Sequence, residues 1–218
     1  MTVNENDYCK LDPYSLSKKQ RFYVFIKRVL DFLVSIVGIV LCIIPSLFIA
    51  LAIKIEDGGP VFFKHKRIGR DGKEFVCVKF RSMSVNARHD IAGYQYPDVE
   101  SQITKVGHFL RKTSLDELPQ LVSLFSGDMS LIGYRPSQKA EVELNTARER
   151  CNLYQIRPGI TGWAQVNGRD VLATHPTLKA EYDAYYLRHI SFKLDVKIFF
   201  MTIKSVFCYT DFEEGAIS

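Results

Sequence analysis

With 218 residues, of which 47% are hydrophobic, the chain has enough apolar side chains for one core of catalytic-domain size, which excludes general disorder. Its five cysteines, Cys9, Cys42, Cys77, Cys151 and Cys208, form no CxxC pair and its five histidines no HExxH pattern, which argues against a disulfide framework or a zinc site and suits a reducing compartment. A formal net charge of +5 suits nucleic acid, an anionic membrane surface or a phosphorylated substrate as partner.

Residues 1–21 are polar and mixed, with Asp12-Pro13 and Ser15 marking irregular structure, and read as a flexible N-terminal arm rather than a signal peptide. Residues 22–54 read as a membrane helix: from Phe32 to Ile53 there are 22 residues without a charge, bounded by Lys27, Arg28 and Asp31 before and Lys54 after, enough to span a bilayer by length. Pro45 favours a helix-break-helix instead, because it removes one helical hydrogen bond and clashes with the carbonyl of Leu41. The arm from Phe32 to Ile44 would reach only about 20 Å into a hydrocarbon core about 30 Å thick. Basic residues flank both ends, which suits both lying on one face. The expectation is a re-entrant helix whose freed Leu41 carbonyl is met by Ser46 or Ser35; a kinked transmembrane anchor and a buried core helix are the alternatives.

After the Glu56–Pro60 turn, the composition predicts a β-hairpin, Val61–Gly69 and Glu74–Arg81 joined by Arg70-Asp71-Gly72-Lys73. Lys64, Lys66, Arg67, Lys79 and Arg81 then crowd one small sheet. No helix-turn-helix or RNP pattern supports a nucleic-acid reading; a diphosphate near anionic headgroups needs the same charges, and a solvated basic hairpin is the plain alternative. Residues 84–101 read as a loop or lid.

Thr113-Ser114-Leu115-Asp116-Glu117-Leu118-Pro119-Gln120 sets two adjacent carboxylates beside Arg111 and Lys112. Pro119 suits a first helical turn, so a helix is predicted to begin near Asp116, where unpaired N–H groups favour an ionised carboxylate or a phosphate. Such an aspartate can be a nucleophile or a metal ligand; equally, Ser114 and Glu117 fit a capping box that needs no catalysis. Leu118, Leu121, Val122 and Phe125 predict a buried helix face. Met129–Pro136 is an apolar run ending in a turn with Arg135, and Glu141–Tyr154 reads as a surface helix. Arg157–Arg169, with three glycines, two arginines and the only tryptophan, is a loop able to bring backbone N–H groups and arginine forks to a phosphate. Tyr182, Asp183, Tyr185 and Tyr186 lie on a helix, and Leu194–Phe207 suits either an interfacial or a core helix.

In fixed order, Lys27-Arg28 with Asp31, the proline-broken helix, Gly59–Phe63, Lys79–Met83, Leu110–Gln120, Arg157–Arg169 and Asp183-Tyr185-Tyr186…Ser191…Asp195 closely resemble the bacterial sugar transferase family, the monotopic phosphoglycosyl transferases. The resemblance implies an α+β protein: a membrane-embedded re-entrant helix joined to a small helix-rich cytoplasmic catalytic domain, residues 55–218, with a short β-hairpin and interfacial amphipathic helices. It implies transfer of a phospho-sugar from a UDP-sugar to undecaprenyl phosphate at the cytoplasmic face of the inner membrane, releasing UMP, with Mg²⁺. Asp116 would be the nucleophile, forming a covalent phospho-sugar intermediate, with Glu117 as supporting carboxylate, the two near the metal. Substrate would be held by Lys27, Arg28, Lys79, Arg81, Arg111, Arg135, Arg157, Gln165 and Arg169, with Lys27 and Arg28 at the lipid headgroup; Pro45 and Ser46 would shape the helix. Membrane lipids, no nucleic acid and a possible second copy complete the partners. Because roughly 20 residues precede Phe22, the multi-span N-terminal region of the larger relatives is expected to be absent. The chain departs from the family in having Tyr134 where Gly-Pro-Arg-Pro is common, Ile44 before the proline where serine is frequent, and His65 where glutamine is usual. A metal-dependent phosphohydrolase and a non-enzymatic assembly module remain rival readings.

Overall fold

The computed structural model describes residues 11–87, 100–168, 172 and 174–207. Helix α1 (Lys18–Asp57) starts in a capping box in which the Ser17 hydroxyl and the Gln20 side chain satisfy each other's backbone N–H groups. It ends at Gly58, whose φ of 67° is left-handed. The helix is continuous through Pro45 over its 40 residues, so the expected break is not present as an interruption of the helix. A proline costs one ladder bond and one steric clash, and the turns on either side keep their own bonds when packing holds them. Nor does Ser35 serve the Leu41 carbonyl; its hydroxyl donates to Phe32 O at 2.6 Å.

The polarity of α1 is inverted relative to a soluble helix. Its buried side chains include Lys27, Asp31 and Ser35, spaced four apart on one stripe, whereas Phe25, Leu41 and Phe48 are each about two-thirds exposed. A soluble helix hides its apolar stripe; this one turns it outward along its length, as a hydrocarbon environment requires. The body is gripped at both ends of the helix. Near the start, Gln20 Nε2 donates to Arg188 O (2.8 Å), and further along Asp31 accepts from the Ser130 hydroxyl (2.6 Å) and Leu131 N (3.0 Å); near the end, Glu56 accepts from Lys105 N (2.7 Å) and Val106 N (3.0 Å).

Strands β1 (Phe62–Ile68) and β2 (Glu74–Phe80) form the expected antiparallel hairpin, with His65 opposite Cys77 and Phe63 opposite Lys79. Side chains alternate across a strand, so Phe63, His65 and Arg67 share one face with Phe75, Cys77 and Lys79. The loop base beyond the hairpin is closed by Ser84 N to Gln102 O (2.8 Å) and the Met83–Ile103 bridge; residues 88–99 of the expected lid lie outside the described residues. Helix α2 (Lys105–Thr113) follows, capped by Thr104. A 3₁₀ stretch over Leu115–Gln120 then leads into α3 (Leu121–Ser126), so the α-helix begins after the carboxylates and not at Asp116.

Strands β3 (Ser130–Ile132) and β4 (Gly159–Thr161) pair in parallel. This explains the glycines of the Arg157–Arg169 segment differently from a phosphate loop. A Cβ on Gly162 would stand 1.8 Å from Gly133 O, and one on Gly159 2.1 Å from Gly133 N; the glycines let two backbones touch.

Helices α4 (Val142–Arg150), α5 (Trp163–Gly168), α6 (Pro176–His189) and α7 (Phe192–Phe207) complete the body. The main core joins Ile132, Tyr134, Leu153, Trp163, Tyr186, Leu187 and Ile198. Contrary to the surface helix expected over 141–154, α4 buries Leu144, Asn145, Ala147 and Arg148; a buried charge is tolerated because it is paired, here with Asp183. Helix α7 buries Asp195 and Ile198 while exposing Phe192, Phe199 and Phe200, so it is both a core helix and an apolar outer surface. The expected flexible arm is packed from Leu11 onward: Leu16 is buried in the main core, and Tyr14 O accepts from Gln155 Nε2 (2.7 Å) and Asn152 Nδ2 (3.2 Å). Residues 1–10 of that arm lie outside the described residues.

Candidate active site

The chain leaves α2 through Ser114, a non-glycine residue with φ of 56°. This left-handed step turns the backbone sharply, so that Asp116 and Glu117 emerge beneath the inner face of the hairpin. The Ser114 side chain makes no cap hydrogen bond, and the Glu117 carboxylate goes elsewhere. Glu117 Oε1 accepts from Lys79 Nζ at 2.5 Å and Arg135 Nη2 at 2.9 Å. The capping-box reading is therefore excluded: three chain segments converge on one carboxylate oxygen.

Asp116 is the contrasting neighbour. Among the described residues its carboxylate has only a long ion pair, 4.0 Å to Lys79 Nζ. Burial raises its pKa above the ordinary aspartate value, opposed chiefly by Lys79 and then by Arg111. Burial alone would also raise Glu117, but Arg135 and Lys79 outweigh it and hold the carboxyl far below the usual range. The pair thus divides: Glu117 is a fixed anion, neutralised twice, and Asp116 is an anion with an open valence.

Cations surround this pair in excess. Arg67, on the same hairpin face as Lys79, reaches Glu141 at 3.5 Å. His65 lies between Arg67 and Lys79, stacked on Phe63 at 5.3 Å. Burial, then Arg67, Lys79 and Arg135, lower its pKa to about 3, so the imidazole is neutral near pH 7. Such a cradle suits a diphosphate, whose charges would meet Lys79, Arg67, Arg135 and Arg111.

Of the residues expected from sequence, Asp116, Glu117, Lys79 and Arg135 come together, with Arg111 close enough to act on Asp116 while its Nε donates to Ser82 Oγ (2.9 Å). Others are used elsewhere. Arg81 pairs with Asp57 at 3.2 Å at the end of α1. Lys27 is buried in an ion pair with Asp195, and Arg28 donates to Leu124 O (2.6 Å) and Phe125 O (2.9 Å) at the end of α3. Arg157 Nε donates to Gly127 O (2.7 Å) and Gln165 Nε2 to Ile160 O (3.1 Å); with Lys27, Arg28 and Asp31, Arg157 lines a small cleft. Pro45 and Ser46 lie inside α1, and Arg169 is outside the described residues. Of the hairpin charges expected to suit a diphosphate, Arg67 and Lys79 share the inner face, whereas Lys64 and Lys66 stand opposite Val78 and Val76 on the other; His65 and Glu141 were not anticipated, although the two-residue alternation of the hairpin carries the signal for His65.

A model of the bacterial sugar transferase family matches residues 22–209. The chain is 40% identical over 187 residues to the UDP-N-acetylgalactosamine-undecaprenyl-phosphate N-acetylgalactosaminephosphotransferase of Aeromonas hydrophila, covering 84% of this chain and 44% of that protein. It is 42% identical over 187 residues to the UDP-glucose:undecaprenyl-phosphate glucose-1-phosphate transferase of Escherichia coli (strain K12), covering 82% and 39% respectively. It is also 38% identical over 183 residues to the uncharacterized sugar transferase EpsL of Bacillus subtilis (strain 168), covering 84% and 88%. The chain thus spans less than half the length of the first two relatives.

Proposed function

Because the chain belongs to the bacterial sugar transferase family, we propose that it transfers a sugar phosphate from a UDP-sugar to undecaprenyl phosphate, releasing UMP and opening the synthesis of a surface polysaccharide. The observation that carries this reading is the division of labour between Asp116, partnered among the described residues only at 4.0 Å by Lys79, and Glu117, saturated by Lys79 and Arg135. An Asp116 oxygen attacks the sugar-bearing phosphorus; the bond between that phosphorus and the bridging oxygen breaks, and UMP leaves with the electron pair. An oxygen of the lipid phosphate then attacks the aspartyl phosphate and restores the carboxylate. The two anionic substrates need not occupy the site together, and Lys79, Arg67, Arg135 and Arg111 offset the charge of each in turn.

Mg²⁺ fits at Asp116. The described residues hold no group of three or more His, Cys, Asp or Glu side chains, but this ion is content with one or two carboxylates and the oxygens of phosphate and water. Glu117 fits less well as a ligand, because its Oε1 is already shared by two cations. When bound, the ion would withdraw charge from the diphosphate.

The test is UMP release by detergent-solubilised protein from a panel of UDP-sugars, with and without undecaprenyl phosphate. Lipid-dependent UMP supports the transferase; free sugar or sugar phosphate without a lipid requirement would identify a hydrolase. The pH profile carries a signed expectation. As pH falls, Asp116 takes up a proton and stops attacking, so the acid limb of kcat/KM is expected above the ordinary aspartate value of about 3.9. Lys79 is the strongest opponent of that rise, so Lys79→Met is expected to move the limb further up; a limb that moves down contradicts the assignment of the limb to Asp116.

For α1 we propose a re-entrant placement in the cytoplasmic membrane, with the catalytic body on the cytoplasmic face. Support comes from the two ends of the helix, which are bonded to the same body through Gln20 and Glu56, and from the outward apolar face between them. Single cysteines at Lys19 and Lys54 in a cysteine-free background are expected to react with an impermeant maleimide from the same side of sealed vesicles. Labelling from opposite sides would establish a span.

A further inference from the structure

Directly behind Arg135 lies a buried assembly that the reaction above does not use. Arg148, with no exposed surface, donates through Nε (3.0 Å) and Nη2 (2.6 Å) to Asp183 Oδ2. Its guanidinium lies 4.9 Å from the centre of the Tyr134 ring, and Tyr154 meets the same ring edge-on at 5.7 Å. The Tyr154 hydroxyl donates to Asn145 Oδ1 (3.0 Å), which also accepts from the Ser137 hydroxyl (2.6 Å). The Tyr134 ring is thus fixed by Arg148 of α4, itself held by Asp183 of α6, and by Tyr154 just beyond α4, while its own hydroxyl has no partner among the described residues. Its backbone is fixed too: Tyr134 O accepts from Gly159 N at 2.8 Å, and Tyr134 bridges Pro158.

Consecutive side chains of an extended segment point to opposite faces. With Tyr134 turned into the α4–α6 side, Arg135 is turned to the other, where it bonds Glu117 at 2.9 Å. Pro136 and Ser137 on its far side are buried as well. We propose that Tyr134 is a positioning residue for the transfer reaction: its ring, clamped by Arg148 and Tyr154, sets the reach of Arg135 to Glu117 and so fixes the turn that presents Asp116. An aromatic ring does this where an aliphatic side chain does not, because only a π face attracts a buried guanidinium whose charge is already committed to a carboxylate. The inference rests on the transferase reading of the same site.

The test is steady-state UMP release at varied UDP-sugar with undecaprenyl phosphate, for wild type, Tyr134→Phe and Tyr134→Leu, with circular dichroism to establish folding. Tyr134→Phe keeps the ring and loses only an unpartnered hydroxyl, so wild-type kcat is expected. Tyr134→Leu is expected to lower kcat on the order of 10- to 100-fold, the scale of a catalytic group displaced by about an ångström, with little change in donor KM. A folded Tyr134→Leu with wild-type kcat overturns the inference, as does an equal loss in Tyr134→Phe. Should Tyr134→Leu fail to fold, Arg148→Lys decides: it keeps a cation for Asp183 but loses the planar face over Tyr134, and wild-type kcat in that folded variant overturns the inference. No UMP from wild type with any donor overturns the transferase reading and this inference with it, whereas an active wild type matched by Tyr134→Leu overturns this inference alone.

Discussion

Asp116→Asn is expected to abolish UMP release, by at least about 10³-fold in kcat, without unfolding the protein. The two halves of that expectation come from the same geometry. An amide cannot form the acyl phosphate, so both half-reactions stop. The fold, however, gains nothing from the Asp116 charge: among the described residues its one ion pair is at 4.0 Å, and burial raises its pKa. A raised folded-state pKa means that the ionised form is disfavoured in the native state, so that above this pKa the charge opposes folding. A neutral isostere removes that opposition, and the thermal midpoint near pH 7 is expected to stay or rise. Glu117→Gln should do the reverse, because Lys79 and Arg135 would be left facing each other across a neutral amide. A stable Asp116→Asn protein retaining kcat within about tenfold of wild type would end the role of Asp116 as nucleophile, and a destabilised one would mean that its carboxylate is structural.

Local chemistry was legible in the sequence and partnership was not. The hairpin announced itself through strand-like composition and the Arg70-Asp71-Gly72-Lys73 turn, because both signals lie within a few residues of each other. The fate of Glu117 was hidden: Ser114 three residues away offered a cap, while the actual partners Lys79 and Arg135 stand 38 and 18 residues off. Arg148 misled in the same way, reading as solvent-facing on a charged segment because Asp183 is 35 residues distant. Pro45 is the converse case, a strong local signal overruled by context: Gly38 packs against Leu121 and Phe32 stacks on Phe125 at 5.1 Å, so the helix is held beside α3 on the N-terminal side of the proline.

Lys27→Met is expected to destabilise the protein by about 3–5 kcal/mol, the cost of leaving one charge of a buried pair without its partner. The family resemblance placed Lys27 at a lipid headgroup, but Lys27 is only 8% exposed and its ammonium is bonded to Asp195. The same carboxylate accepts from the Tyr23 hydroxyl and the Tyr186 hydroxyl, each at 2.7 Å. The network therefore ties α1 to α6 and α7, and removing the cation leaves the Asp195 carboxylate with hydroxyl donors alone. Replacing both charges, Lys27→Met with Asp195→Leu, is expected to be less damaging than the single change, because no uncompensated charge remains. Chemical denaturation in detergent measures the first effect, and the KM for undecaprenyl phosphate separates the two roles. A structural clamp lowers stability and leaves that KM unchanged in the folded fraction; a headgroup ligand raises that KM and leaves stability alone. The second pattern would return Lys27 to the substrate site, and would require its bond to Asp195 to open when the lipid arrives.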